Sequence, residues 1–189
     1  MINVAIFVSG NGTNCENIIR YFSGSTTVKI VLVLSNRADA YALVRATNLG
    51  VPTEVMGKAD FSDKLKLTSL MSRYNVDFIV LAGFLLMVPP FLVDIYPKRI
   101  VNIHPALLPK FGGKGMYGHH VHEAVKASGD SETGITIHYV SNECDGGEII
   151  FQAKTPVAPD DTPDDIAAAV HKLEQQYYPA VIERVIGGM

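Results

Sequence analysis

The sequence predicts one α/β domain, residues 1–189, built on a single doubly wound, mostly parallel sheet with helices on both faces and an antiparallel strand region near the carboxyl terminus. Two observations support this fold class. The runs "INVAIFV" and "VKIVLVLS" are continuously apolar rather than alternating, which is typical of strands covered on both faces. Helix-like segments separate the runs, and this order predicts parallel βαβ units.

Strands and helices alternate through the first hundred residues. Strands are predicted at residues 2–8, 28–35, 52–56, 77–83 and 99–104. Helices are predicted at residues 14–22, 39–48, 61–74 and 89–96. The third helix depends on the spacing of Leu65, Leu67, Leu70 and Met71.

The pattern changes after residue 130. Residues 133–141 and 147–155 are predicted to form neighbouring strands joined by the loop "NECDGG". A long helix is predicted over residues 162–186, with Thr162 as its N-cap and Pro163 in its first position.

Composition narrows the functional classes. A formal net charge of -3 does not favour general binding to nucleic acid or membranes. The two cysteines, Cys15 and Cys144, have no metal-binding spacing, which favours a reducing compartment. The amino terminus lacks the features of a signal peptide, and no apolar run is long enough to span a membrane. We therefore expect a cytoplasmic protein.

A glycine-rich turn, "SGNGTN" at residues 9–14, connects the first strand to the first helix. Glycines and free helix-start N–H groups favour a phosphate there. The third glycine of a dinucleotide fingerprint is missing, and no acidic residue closes the second strand, so a smaller phosphorylated ligand fits as well. A tight turn without any ligand remains the alternative.

Asn102 and His104 stand at the carboxyl end of a predicted strand, where open α/β sheets bind ligands. Their spacing of two puts both side chains on one face, and Pro105 favours departure of the chain from the sheet. An amide and an imidazole could stabilise an oxyanion, and the imidazole could transfer a proton. Asp145, in "CDGG", could favour the protonated imidazole. A structural Asn–His pair and an ordinary Asp-Gly turn are the alternatives.

The other histidines are open to two interpretations. His119, His120 and His122 could bind a metal, as in a metal hydrolase, but they lack a zinc motif, and a place at the surface or the rim of a pocket is favoured. His138 could face the site or be a hydrogen-bonded strand residue, and we expect the latter. Glu174 could lie on a solvated helix face.

The ordered motifs "SGNGTN", "LAGFLLMVPP", "NIHPALLPKFGG", "GITIHYV" and "CDGGEII" resemble the formyltransferases that use 10-formyltetrahydrofolate, along essentially the whole chain. The resemblance implies 10-formyltetrahydrofolate as co-substrate and no metal. It implies that the catalytic residues are Asn102, His104 and Asp145.

The same resemblance assigns both binding sites. The ribose phosphate of a glycinamide substrate would be bound through Gly12, Thr13 and Asn14, with Glu174 near that substrate. The folate would be contacted by Lys64, Leu85, Leu86, Met87, Val88 and Asn102.

Some residues depart from the family pattern. Leu86 stands where an arginine is frequent, Ala106 replaces the commoner serine, and the loop Gly112 to Gly118 is longer than in many members. Relatives that formylate a tRNA or hydrolyse the formyl donor carry an additional domain, for which we expect no room in this chain. A non-catalytic domain that binds phosphosugars or nucleotides is the alternative outside the family, and it would not need Asn102, His104 or Asp145.

Overall fold

The computed structural model describes residues 1–189 and contains seven strands and seven helices. Their bounds in chain order are β1 Ile2–Val8, α1 Thr13–Tyr21, β2 Val28–Ser35, α2 Tyr41–Asn48, β3 Thr53–Val55, α3 Lys58–Ser62, α4 Lys64–Arg73, β4 Phe78–Leu81, α5 Pro90–Ile95, β5 Ile100–His104, α6 His119–Ser128, β6 Glu132–Tyr139, β7 Ile149–Pro156 and α7 Pro163–Gly187.

All seven strands belong to one sheet with the order β3-β2-β1-β4-β5-β6-β7. The first five strands are parallel, whereas β6 pairs antiparallel with both β5 and β7. The predicted fold class, including its antiparallel carboxyl-terminal region, is therefore confirmed. The direction of winding reverses between β1 and β4, which makes the carboxyl ends of these central strands the expected place for a ligand.

Helices cover both faces of the sheet, which explains the continuously apolar strands. Val4, Ile6 and Val8 of β1 pack in a cluster with α1, α2, α6 and α7. Ala5 and Phe7 point to the other face and join a cluster formed with α3, α4 and α5. Both faces of β1 are thus withdrawn from water from Val4 to Val8, and this part of the strand has no polar residue.

The long carboxyl-terminal helix α7 has the predicted start. Thr162 accepts a hydrogen bond from the Asp165 backbone N–H, and the Asp165 side chain accepts one from the Thr162 backbone, which together form a capping box. Further along α7, the fully buried Tyr178 hydroxyl donates to the Leu81 carbonyl oxygen at 2.8 Å. This bond attaches α7 to the carboxyl end of β4.

The predicted helix over residues 61–74 is confirmed for Lys64–Arg73, but it does not begin at residue 61, because a separate helix ends at Ser62. Asp63 adopts an extended conformation that ends α3, and its carboxylate accepts a hydrogen bond from the Lys66 backbone N–H to cap α4. Leu65 is 78% exposed and is no part of the apolar face. Helix α6 was not predicted at all. None of the seven helices is both long and apolar enough to cross a membrane.

Candidate active site

A cavity of about 750 Å³ opens at the carboxyl ends of β4 and β5. Segments from five parts of the chain line it: the start of α1, residues 83–87, residues 102–105, the loop 113–118 and the pair Cys144–Asp145. Ala167 and Glu174 of α7 and two histidines of α6 complete the wall. The cavity therefore lies where the sheet reverses its winding, as expected for an open α/β sheet.

The His104 imidazole lies between a carbonyl group and a carboxylate. Its Nε2 is 2.7 Å from the Phe111 carbonyl oxygen, which can only accept, so Nε2 carries a proton. Its Nδ1 lies 3.6 Å from Oδ2 of Asp145. Both side chains are largely buried. Nδ1 has no hydrogen bond within the protein and is the nitrogen that remains available for proton exchange.

The loop that follows β5 also binds Asp145. The Gly113 backbone N–H donates to Asp145 Oδ2 at 2.9 Å. Phe111 and Asp145 both adopt a positive φ of 54°. The backbone around the start of the glycine-rich loop, residues 112–118, therefore contacts both His104 and Asp145, through Phe111 just before the loop and Gly113 within it. The sequence did not indicate this role for the loop.

Asn102 is positioned by a histidine on the neighbouring strand. Its Nδ2 is 3.1 Å from Nε2 of His138, its partner in the β5–β6 register. His138 Nδ1 donates to the Tyr139 carbonyl oxygen, so Nε2 of the neutral ring accepts from Asn102. Burial lowers the pKa of His138, although that backbone bond and Asp145 act in the opposite direction. The neutral ring that this bond requires is thus favoured.

His138 also approaches Asp145, with its Nε2 3.7 Å from Oδ1. The structure therefore brings Asn102, His104 and Asp145 together, with His138 as a fourth member that we had expected to be a strand residue outside the site. A signal was present in the sequence. His138 is out of phase with Ile135 and Ile137, so it had to face away from their cluster, on the side where Asn102 lies.

The abrupt end of β5 has a structural cause beyond Pro105. The Thr136 hydroxyl donates to the Ala106 carbonyl oxygen at 2.7 Å and accepts from the Leu108 backbone N–H at 2.9 Å. These bonds hold the departing chain against β6. Ala106 is fully buried.

The glycine-rich turn after β1 leaves the start of α1 open. Gly12 occupies the N-cap position without a side-chain cap, at φ 80°. A Cβ on Gly12 would lie 2.3 Å from Cβ of Ala42, so helix packing already requires this glycine. Asn14 follows in the first turn and donates to Glu174 Oε2 at 2.9 Å, and both residues line the cavity. The free N–H groups of this helix start can bind an anion.

Residues 84–88 alternate between core and cavity. Phe84, Leu86 and Val88 pack against the cluster formed with α4 and α5, and Phe84 also lines the cavity. Leu85 and Met87 are half exposed and line the cavity. Of the predicted folate segment, only these two thus present side chains to the cavity, together with Asn102. Lys64 is exposed at the start of α4 and does not line the cavity.

The three clustered histidines differ in their surroundings. His119 and His122 line the cavity, whereas His120 does not. The chain has no group of three or more His, Cys, Asp or Glu side chains arranged to hold a metal ion. Cys144, which also lines the cavity, has a thiol whose pKa is raised by burial and by the adjacent Asp145.

Comparison with known proteins identifies the class. The model of the formyl transferase family matches residues 2–182, nearly the whole chain. The chain therefore belongs to the formyl transferase family, whose formyl donor is 10-formyltetrahydrofolate, and the resemblance drawn from its motifs is confirmed.

Within this family, the similar proteins share the name of one particular enzyme. A phosphoribosylglycinamide formyltransferase of Haemophilus influenzae is 40% identical over 188 residues, which cover 97% of this chain and 86% of that protein. The enzyme of the same name in Escherichia coli is 38% identical over 186 residues, 96% of this chain and 85% of that protein. The crystal structure of phosphoribosylglycinamide formyltransferase from Anaplasma phagocytophilum superimposes with a TM-score of 0.90 at 33% identity, covering 99% of this chain and 87% of that one.

Proposed function

We propose that this enzyme transfers the formyl group of 10-formyltetrahydrofolate to the terminal amine of phosphoribosylglycinamide, a step of purine biosynthesis. The observation that carries the proposal is the meeting of Asn102, His104 and Asp145 in one cavity. The names of the relatives supply the amine substrate. We propose a cytoplasmic location, small-molecule substrates, and no nucleic-acid or membrane partner.

The two ends of the cavity suit the two substrates. The uncapped start of α1, at Gly12, Thr13 and Asn14, offers backbone N–H groups and a helix dipole to the ribose phosphate. Glu174, aligned by Asn14, can accept hydrogen bonds from the ribose hydroxyls. Leu85 and Met87 offer an apolar wall on which the flat pterin ring can pack.

During the reaction, negative charge develops on the formyl oxygen, beside Asn102 and His104. The amine nitrogen attacks the formyl carbon, a C–N bond forms and the carbonyl oxygen becomes an oxyanion. The second N–H of Asn102 Nδ2 and a proton on His104 Nδ1 can each donate to it. Asp145, at 3.6 Å, favours the positive charge on that imidazole.

Collapse of the intermediate breaks the bond between the formyl carbon and N10 of the folate. His104 can deliver its Nδ1 proton to the departing nitrogen, and the deprotonated Nδ1 can then accept the proton that the attacking amine loses, so the ring returns to its starting state. Asn102 is fixed for this step because His138 already accepts its other N–H.

The test is an assay of the purified protein with both substrates, in which formylated product and tetrahydrofolate should form in equal amounts. Loss of the formyl donor without the amine would support a deformylase instead. Binding of phosphoribosylglycinamide without turnover would support the non-catalytic alternative. An otherwise identical assay with H104A is the control for uncatalysed transfer.

A further inference from the structure

His122 is a buried histidine to which no role has yet been given. It lies in the first turn of α6, is 7% exposed and lines the cavity. Its Nδ1 is enclosed and has no hydrogen-bond partner. By contrast, the neighbouring His119 is half exposed and lies 3.7 Å from the carboxylates of both Glu123 and Asp164. The ring is thus buried without any hydrogen bond to the protein, which is rare for a polar side chain and calls for an explanation.

The surroundings of the ring determine its tautomer. An enclosed Nδ1 that carried a proton would be a donor without an acceptor, which is costlier than an enclosed lone pair. The proton of the neutral ring therefore resides on Nε2. This nitrogen is not enclosed and makes no bond within the protein, so it is the one that opens towards the cavity.

Burial keeps this ring uncharged. It lowers the pKa of His122, the proximity of His119 and His104 lowers it further, and Glu174 acts in the opposite direction. The ring therefore presents a single neutral N–H donor. Such a donor suits a carbonyl or hydroxyl oxygen better than it suits a phosphate, which recruits charged donors.

The charged groups around His122 indicate which part of the substrate it meets. Glu174 and His104 line the same cavity as His122. In the proposed function, Glu174 contacts the ribose and His104 acts where the terminal amine reacts. The amide carbonyl of phosphoribosylglycinamide lies between those two parts of the molecule.

We propose that His122 donates its Nε2–H to the amide carbonyl oxygen of phosphoribosylglycinamide and so selects the glycinamide group. This inference rests on the proposed function. It adds a binding residue that distinguishes the glycinamide from other phosphorylated riboses.

Three substitutions test the inference. In H122F the ring shape remains and the donor is lost. In H122Q the amide nitrogen occupies the place of Nε2, whereas in H122N it occupies the place of the enclosed Nδ1. We expect H122F and H122N to lower kcat/KM for phosphoribosylglycinamide about tenfold, the usual loss for one neutral hydrogen bond, and H122Q to retain most of it. The matched control is H120Q, since His120 is exposed and lies outside the cavity.

Calorimetry separates recognition from a purely structural role. H122F should weaken binding of phosphoribosylglycinamide about tenfold and leave binding of ribose 5-phosphate, which lacks the amide, unchanged. Equal weakening of both ligands would overturn the inference. Better rescue by H122N than by H122Q would overturn it as well. If H122F does not fold, the comparison of H122Q with H122N decides. A wild-type protein that does not formylate phosphoribosylglycinamide would contradict the proposed function itself, which is a distinct result.

Discussion

Asn102 and His138 face each other across the antiparallel β5–β6 pair, with Nδ2 of Asn102 3.1 Å from Nε2 of His138. The amide of Asn102 is thereby fixed in one of its two orientations, because only its nitrogen can donate to the imidazole. A parallel strand in the place of β6 would form a different pattern of backbone hydrogen bonds with β5. The antiparallel addition to the doubly wound sheet therefore determines how Asn102 presents its second N–H to the cavity.

Removal of the acceptor on His138 should impair catalysis more than folding. We expect H138F to lower kcat about tenfold, because the Asn102 amide is then free to rotate, while H138Q keeps an acceptor near the Nε2 position and retains most of the activity. Steady-state kinetics beside thermal melting of the same samples measure both effects. Full turnover in a folded H138F protein would contradict this account of Asn102.

Loss of either proposed oxyanion donor should have a larger effect. N102A and H104A should each lower kcat by about 100- to 1000-fold, which corresponds to roughly 3–4 kcal/mol of the barrier. The control is H120A, which removes an imidazole that does not line the cavity. If N102A or H104A is folded and turns over at a near-normal rate, the catalytic assignment is wrong.

The backbone at Gly12 should make substitutions at Gly12 and at Gly10 differ in their effect on stability. G12A places a side chain at φ 80° and against Ala42, so it should destabilise the fold by about 2–4 kcal/mol. G10A is the matched control, because a Cβ at Gly10 meets nothing within 4 Å. Urea denaturation of both variants measures the free energy of unfolding. Equal values for the two variants would show that packing against Ala42 does not limit this turn.

A substitution in the apolar wall of the cavity should change KM for one substrate only. We expect M87A to raise KM for 10-formyltetrahydrofolate about fivefold, through the loss of roughly 1 kcal/mol of apolar contact, and to leave KM for phosphoribosylglycinamide unchanged. L65A, at an exposed leucine outside the cavity, serves as the control. An unchanged KM for the folate would remove Met87 from the proposed pterin site.

Two buried histidines should make stability depend on pH. Burial lowers the pKa of His122 and of His138 in the folded state, whereas both should titrate near 6.5 in the unfolded chain. The unfolded chain then binds more protons at a pH below about 6.5, so their effect is a loss of stability as the pH falls through that window. His171, whose pKa is raised mainly by its hydrogen bond to Glu174, acts in the opposite direction from a partly exposed position.

The measurement is the free energy of unfolding in urea at pH 7.5 and pH 5.5. We expect H122F and H138F to lose less stability than the wild type over this interval, since each lacks one group that must take up a proton on unfolding. Parallel losses in all three proteins would contradict the neutral state assigned to these rings.

The sequence predicted the parts of the fold that depend on short-range patterns. Strands β1 and β2 have the predicted bounds, because strands buried on both faces are continuously apolar, and α7 starts at its predicted cap. The break at Asp63 was missed because one residue with an extended backbone interrupts an otherwise helical pattern. Helix α6 was missed because its first turn consists mainly of histidines, whose type suggested chemistry rather than a helix.

The sequence predicted the site residues that belong to the family motifs, but not the contacts that hold those residues in place. Spacing and resemblance indicated Asn102, His104 and Asp145, whose roles stay predictions. The contacts of His104 with Phe111 and of Asp145 with Gly113 depend on how a loop folds back, and no local pattern encodes that. The alternation that turns Leu86 inward and Met87 outward could be read from the strand-like period, but the face each residue meets depends on packing.

The backbone at Phe111 and Gly113 forms one hydrogen bond with each member of the predicted proton-transfer pair. His104 donates to one of these residues and Asp145 accepts from the other, only two positions apart. Displacement of this short stretch of backbone would break both bonds together. The alignment of His104 and that of Asp145 therefore depend on the same three residues, and a change in that segment would disturb both members of the pair at once.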